Sequence, residues 1–280
     1  MKQTLAAPVA PPELPKRRRP RLWKIRGELP RPITLGAGAL ALGLVVGAWT
    51  LATGSGWVSP VFLPAPGAVI AAGARLLASG DLLADTLASL LRVVLGFALS
   101  ALVGVALGLC VGTFRVLEGF FEPVIGLVRY MPAAAFIPLV ILWFGLDEPA
   151  KVAIIFLGSV FYNTLMVADA VKFVPADLVN VAYTLGAGRR DVFLRVILPA
   201  TLPSILDTLR VNIAGAWNFV VVAELVAANS GLGYRILTAQ RFLRTDEIFV
   251  GILVIGLIGL AIDFAFKLLS RLVVPWAIEK

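Results

Sequence analysis

Residues Pro175–Pro203 read PADLVNVAYTLGAGRRDVFLRVILPATLP and lie between two long apolar runs, Ala150 to Val171 and about Leu198 to Ala228. The stretch is too polar to cross a bilayer, yet its order is helical. Pro175 suits a first helical turn, and Leu178, Val181, Ala182 and Leu185 follow the i, i+3, i+4, i+7 spacing of one apolar face. Gly186 is placed to end that helix, because glycine adopts the left-handed cap conformation without strain. After Ala187 and Gly188 a second short helix starts. Val192, Phe193, Val196 and Ile197 fall on one side of it and Arg189, Arg190 and Arg195 largely elsewhere, with Asp191 and Arg195 spaced i, i+4 for pairing. The segment therefore reads as a helix-turn-helix elbow between two membrane spans, with an apolar face and a basic rim. Such an element either docks into a partner's groove or lies on the membrane surface, and both uses need the same pattern.

Outward from the elbow the chain is a series of membrane-crossing runs. Of its 280 residues 59% are hydrophobic and 15% charged, with mean hydropathy +0.93, an apolar excess that cannot all face inward in water. A water-soluble globule is excluded. Runs long enough to span occur at Ile33 to Thr53, Thr86 to Gly112, Phe120 to Leu146, Ala150 to Val171, Leu198 to Ala228 and Ile248 to Val274, so the expectation is an all-α integral membrane protein with six transmembrane helices. The first run is longer than a signal-peptide core and is expected to be retained. Between the first two runs Pro64, Pro66 and Gly67 break the chain before a short segment carrying Arg75, which is expected at the surface. Residues 1–32 form a basic, Pro-rich tail, and 33–280 the transmembrane domain, with 175–199 as its coupling segment.

There are 25 Lys and Arg against 17 Asp and Glu, a net charge of +8. Most of the excess lies in the tail, near Arg115, in the elbow with Lys172, and at the C-terminal end; Arg75, Lys151, Arg235, Arg241 and Arg244 fall on the other side. The positive-inside rule then places both termini and the elbow in the cytoplasm, and an even number of spans agrees. A nucleic-acid partner is not expected, since the basic tail lacks interleaved aromatics and a recognition fold; its charge suits topology and the lipid surface. With no histidine, His-dependent nucleophiles, His metal ligands and His proton relays are unavailable. The single Cys110 lies in an apolar run and reads as a small buried hydrophobe. Gly96, Ser100, Gly104, Gly108 and Gly112 recur every four residues, a small-residue face suited to close helix packing within the chain more than to a dimer seam.

Ionisable groups inside spans are expensive and point to function. Arg129 lies about nine residues into the third run, which at 1.5 Å per residue is about 14 Å, near the midplane of a roughly 30 Å core. Arg210 reaches a similar depth in the fifth run. Pro132 and Pro138 are expected to kink the third helix and open backbone groups toward a cavity. Asn212, Trp217, Asn218 and Glu224 could line the same path, and guanidinium forks match sulfonate, nitrate or carboxylate oxygens. The competing reading is structural pairing: Arg210 with Asp207, and Arg129 with Glu122 or Glu224 across helices. Asp263 and Arg92 read as packing or interfacial partners. The segment GLGYRI from Gly231, with Arg235, Arg241 and Arg244, suits either an acidic protein partner or packing at the outer face.

The elbow run of Gly186, nine residues, Val196, one residue, Leu198 and Pro199 resembles the signature loop of permease subunits of ATP-binding-cassette (ABC) importers. That loop begins Glu-Ala-Ala; here Asn180 and Val181 replace the Glu and first Ala, and Ala182 keeps the second. The segments FLPAPGAV (62–69), 79–109, MPAAAFIPLVILWFGL (131–146), VVAELVAANSGLGYRI (221–236), IGLIGLAIDFAFKLL (255–269) and the following PW are similar to the nitrate, taurine and alkanesulfonate branch of that family. The resemblance implies a methionine-importer-like permease fold, two permease copies (a homodimer) paired with two cytoplasmic ABC ATPase subunits, and an extracytoplasmic substrate-binding protein, in the inner membrane of a prokaryote. It implies an ATPase-coupling site at Ala182, Leu185, Gly186, Arg189, Phe193, Leu198 and Pro199, with ATP and Mg bound by the partner and no cofactor on this chain. No Lys follows a Gly, so the chain has no Walker A phosphate loop. The expected function is import of a small oxyanion or organic anion by a subunit that is not itself an enzyme. The alternatives are an ABC permease for an uncharged pyrimidine-type compound and an ion-coupled secondary transporter, although no convincing inverted repeat is visible. A membrane enzyme is disfavoured by the absence of histidine and of a carboxylate cluster within the spans.

Overall fold

The apolar runs form long helices in a computed structural model of the chain, which describes residues 29–277. The basic tail therefore lies almost wholly outside the described residues. Among the described residues five helices are long and apolar enough to cross a membrane: α1 (Arg31–Gly54), α3 (Asp81–Thr113), α6 (Glu148–Lys172), α9 (Leu198–Ala227) and α11 (Thr245–Val273). The third apolar run is split into α4 (Arg115–Val128) and α5 (Ile137–Phe144), joined through a 3₁₀ turn at Ala133–Phe136 and bent by 85°, and makes a sixth crossing if the pair counts as one broken span. The third run is thus not one kinked helix but a broken one. Pro132 removes a donor and disfavours helical geometry at the residue before it, so the backbone turns there instead of bending gradually. Shorter helices are α2 (Pro66–Ala78), α7 (Ala176–Thr184), α8 (Arg189–Val192) and α10 (Leu232–Arg241).

The centre of the bundle is the α3–α6 interface, and its cause is the glycine stripe. A Cβ built on Gly104 would come within 2.7 Å of the Asn163 Cβ, on Gly108 within 2.6 Å of the Thr164 carbonyl oxygen, and on Gly112 within 2.6 Å of the Ala168 carbonyl oxygen. The backbones approach as closely as they do because nothing stands between them. The stripe is consumed inside the chain, as its spacing suggested. Across the same interface the Asn163 amide donates to Ser100 Oγ at 2.9 Å, and the Asn212 amide donates to Asn163 Oδ1 at 2.8 Å, tying α3, α6 and α9 in one relay.

The segment expected at the surface, α2, instead buries Val69, Ala72 and Leu76 in a core shared with α3, α9, α10 and α11. Its apolar residues at i, i+3 and i+7 form a stripe, which needs a packing partner more than an interface with lipid headgroups. By contrast α1 is exposed along nearly its whole length. It is held near its end by Trp49, which stacks on Phe249 (ring centroids 5.4 Å apart) and donates to the Pro64 carbonyl at 2.9 Å.

Candidate functional site

Three places in this fold carry chemistry, and α3 runs between two of them. At its C-terminal end sits the elbow. Helix α7 stops at Thr184, Gly186 takes φ +83°, and the Ala187 N–H returns to the Ala182 carbonyl at 3.0 Å, closing the helix end. Helix α8 then runs through a π-helical turn at Phe193–Ile197 into α9, so one helix extends from Arg189 to Val226. Val192 and Ile197 are buried with Leu109, Val167 and Val171, and Val179, Ala182, Ala187, Phe193 and Leu198 pack against that cluster. Phe193 stacks on Phe114, with ring centroids 6.2 Å apart. The apolar face read from the spacing is divided: Ala182 points into the bundle, whereas Leu178, Val181 and Leu185 are exposed, Leu185 by 82%. Gly186 and Arg189 are exposed beside that ridge, and Pro199 is half-buried. The Asp191–Arg195 pair forms at 3.4 Å.

The break between α4 and α5 opens the second place, a cavity of about 740 Å³ lined by Arg129, Met131, Trp143, Phe161, Tyr162 and Asn218 among others. Arg129 is the C-terminal cap of α4, not a residue deep within a continuous helix. Its guanidinium donates to the Tyr130 hydroxyl at 2.9 Å and lies 4.8 Å from the centre of that ring, and is engaged there rather than by Glu122 or Glu224. Tyr162 donates to the Arg129 carbonyl at 3.4 Å. The result is an exposed cation in an aromatic surround, able to receive an anionic group.

The other candidate path residues do not join Arg129 and Asn218. Asn212 is occupied by Asn163, a partner its amide reaches because both face the α6–α9 contact. Arg210 pairs with Asp207 at 3.2 Å and with Asp263 at 3.3 Å, and shares a separate cavity with Trp217. Glu224 turns away into the third place, at the N-terminal end of α3, because α3 and the start of α10 present three donors to it there. Its carboxylate is completely buried and accepts from Ser89 Oγ (2.7 and 2.9 Å), Arg92 Nη1 (2.7 Å) and the Gly233 N–H (2.8 Å).

Arg92 is the hub of that third place. Nε and Nη2 donate to the two oxygens of Glu148 at 2.6 and 2.7 Å, Nη1 to Glu224 and the Ser230 carbonyl at 2.7 Å each, and Nη2 to Ser230 Oγ at 3.0 Å. All five guanidinium N–H groups are used. Ser89 Oγ accepts from the Leu232 N–H at 2.8 Å, and Asp85 accepts from the Gly231 N–H at 2.8 Å and from Arg235 Nε. Gly231 has φ +114°, and a Cβ there would run into the Glu224 carboxylate and the Arg92 guanidinium. Sequence reading treated Arg92 as a packing partner and overlooked Asp85, Ser89 and Glu148. The available signal was the i, i+4, i+7 spacing of Asp85, Ser89 and Arg92, a polar stripe on an apolar helix.

With this geometry established, comparison with known proteins places the chain. The family model of the binding-protein-dependent transport system inner membrane component matches residues 96–279. The taurine transport system permease protein TauC of Escherichia coli (strain K12) is 37% identical over 262 residues, which are 91% of this chain and 94% of TauC. The nitrate import permease protein NrtB of Leptolyngbya laminosa is 32% identical over 188 residues, 67% of each chain. Among solved structures, an inward-facing conformation of the MetNI methionine ABC transporter shares the fold with TM-score 0.61 at 18% identity, over 68% of this chain and 95% of that one.

Proposed function

Because the chain belongs to the family of binding-protein-dependent transport system inner membrane components, the permeases of ABC importers, we propose that it carries a small oxyanion of the sulfonate or nitrate class across the membrane. It works as a transport component, not as an ATP-hydrolysing subunit. Energy enters from partner ATPases, which hold ATP and Mg, and substrate arrives from a binding protein on the opposite face. Two copies of the chain form the conduit. Both termini and the elbow face the cytoplasm, in line with the charge distribution, and residues 33–280 make up the permease domain behind a basic tail. The ion-coupled alternative is disfavoured by the family membership.

The observation that carries this reading is the exposed Leu178, Val181 and Leu185 ridge on an elbow whose second helix runs unbroken into α9. An apolar ridge 82% exposed at Leu185, next to Arg189, fits a groove on a second protein, and the inward half of the elbow is already anchored. The ridge is on α7, and force applied to it reaches the α8–α9 helix across the Gly186–Gly188 turn, through the packing of Val179, Ala182 and Ala187 against Val192 and Ile197. The anion route passes Arg129 and Asn218, where the guanidinium meets the anionic group and the aromatic walls meet the remainder. Leu185→Asp should leave the permease folded but abolish copurification of the ATPase and ATP-driven uptake in proteoliposomes. Unchanged ATPase association in that variant and in Gly186→Pro would remove the elbow as the docking element.

A further inference from the structure

Two side chains that line one cavity each carry a buried hydrogen-bond donor with no partner among the described residues. Trp217 is 4% exposed and the Arg210 side chain 27%, and among the described residues neither the Trp217 Nε1–H nor the Arg210 Nε–H has an acceptor. The two residues are seven apart on α9 and therefore share a face, opposite Gly259 and Asp263 of α11. The cavity between them measures about 290 Å³ and shares no lining residue with the one at Arg129. Nothing stands within 4 Å of where a Gly259 Cβ would be, so the α11 backbone leaves the space open.

A buried N–H without a partner is costly, and inside a bilayer no bulk water relieves it. Arg210 is also loosely held: its contacts to Asp207 and Asp263 are 3.2 and 3.3 Å, whereas Asp263 has its short bond, 2.6 Å, to Lys267. Both carboxylates meet Nη atoms, which leaves the Nε edge free. Resting on the oxyanion-import reading above, we propose that this cavity is a second seat for the transported anion. One oxyanion accepts from Arg210 Nε and Trp217 Nε1, while Asp263 stays with Lys267. The apolar remainder of the wall, Ile213 and Ile262, suits a short alkyl tail, so an alkanesulfonate fills the seat more completely than nitrate does.

The test uses the permease assembled with its ATPase in phosphatidylcholine nanodiscs, with ¹⁵N-labelled indoles and ethanesulfonate as probe. Among the six tryptophans, the indole resonance lost in Trp217→Phe is the reporter. It should move downfield and saturate as ethanesulfonate is added, and Arg210→Gln, or Arg210→Lys if the first does not fold, should weaken the apparent affinity roughly tenfold or more. A reporter that ignores ethanesulfonate overturns the seat. So does one already downfield in neutral nanodiscs, where the second copy supplies the acceptor, or one that moves only when anionic lipid is added. Uptake by proteoliposomes, measured in parallel, separates the two conclusions. Sulfonate uptake with a silent reporter removes the seat alone, whereas failure to take up any oxyanion removes the import reading, and the titration still decides the seat.

Discussion

Replacing Arg92 by methionine keeps an unbranched side chain in a well-packed place and removes a guanidinium whose five donors are all in use. The consequences are unequal. Glu148, with its side chain 60% exposed, keeps Lys151 at 3.0 Å and loses little. Glu224, with no exposed side-chain surface, is left as a buried carboxylate held only by Ser89 and the Gly233 N–H, and the Ser230 carbonyl is left without the guanidinium. Removing one member of a buried ion pair costs about 3–5 kcal/mol. At roughly 2–4 °C per kcal/mol for a chain near this size, Tm should fall by roughly 6–20 °C. The assay is thermal unfolding of the detergent-purified complex, followed by tryptophan fluorescence. Arg75→Ala, which breaks a pair whose arginine is 69% exposed, should shift Tm by no more than about 2 °C. Adding Glu224→Gln to Arg92→Met should recover part of the loss, because a neutral amide leaves no uncompensated charge. An Arg92→Met variant no less stable than Arg75→Ala, or a double variant no better than the single, would refute the account of this network.

Gly108→Val should destabilise the fold by at least about 2 kcal/mol and reduce the monodisperse fraction in size-exclusion chromatography, since its Cβ would meet the Thr164 carbonyl and Val167; Gly259→Ala, with open space around it, should be near wild type. Asn163→Leu breaks both links of the Ser100–Asn163–Asn212 relay and should cost about 1–3 kcal/mol in the same unfolding assay. Arg129→Ala should leave Tm within about 2 °C, the guanidinium being exposed and, among the described residues, bonded to Tyr130 alone, while abolishing import; retained uptake would take Arg129 out of the route.

Local patterns in the chain were readable wherever the physics was local. Hydropathy run length located the spans, the four-residue recurrence from Gly96 to Gly112 marked the packed face of α3, and Gly186 marked the left-handed end of α7. The i, i+3 pair of Asp207 with Arg210 was legible for the same reason, since both partners lie within one helical turn. The same periodicity misjudged direction on α7. It grouped Ala182 with Leu178, Val181 and Leu185, but only contact with the α3–α6 end turns Ala182 inward and leaves the other three outside.

Long-range pairing was beyond this kind of reading. Glu224 looked like a path residue because an ionisable group within a span has to be explained, and its donors lie far away in the chain, at Ser89 and Arg92. Arg129 looked like a partner of Glu122 or Glu224, whereas α4 ends beside it and its guanidinium meets Tyr130. Both errors follow from treating each span as a separate rod. A charge in a membrane span is settled by what the opposing helix and the next turn place against it. For Glu224 that is Ser89, Arg92 and the Gly233 N–H around a buried carboxylate; for Arg129 it is one tyrosine beside an open aromatic cavity, so two charges on apolar helices come to opposite surroundings.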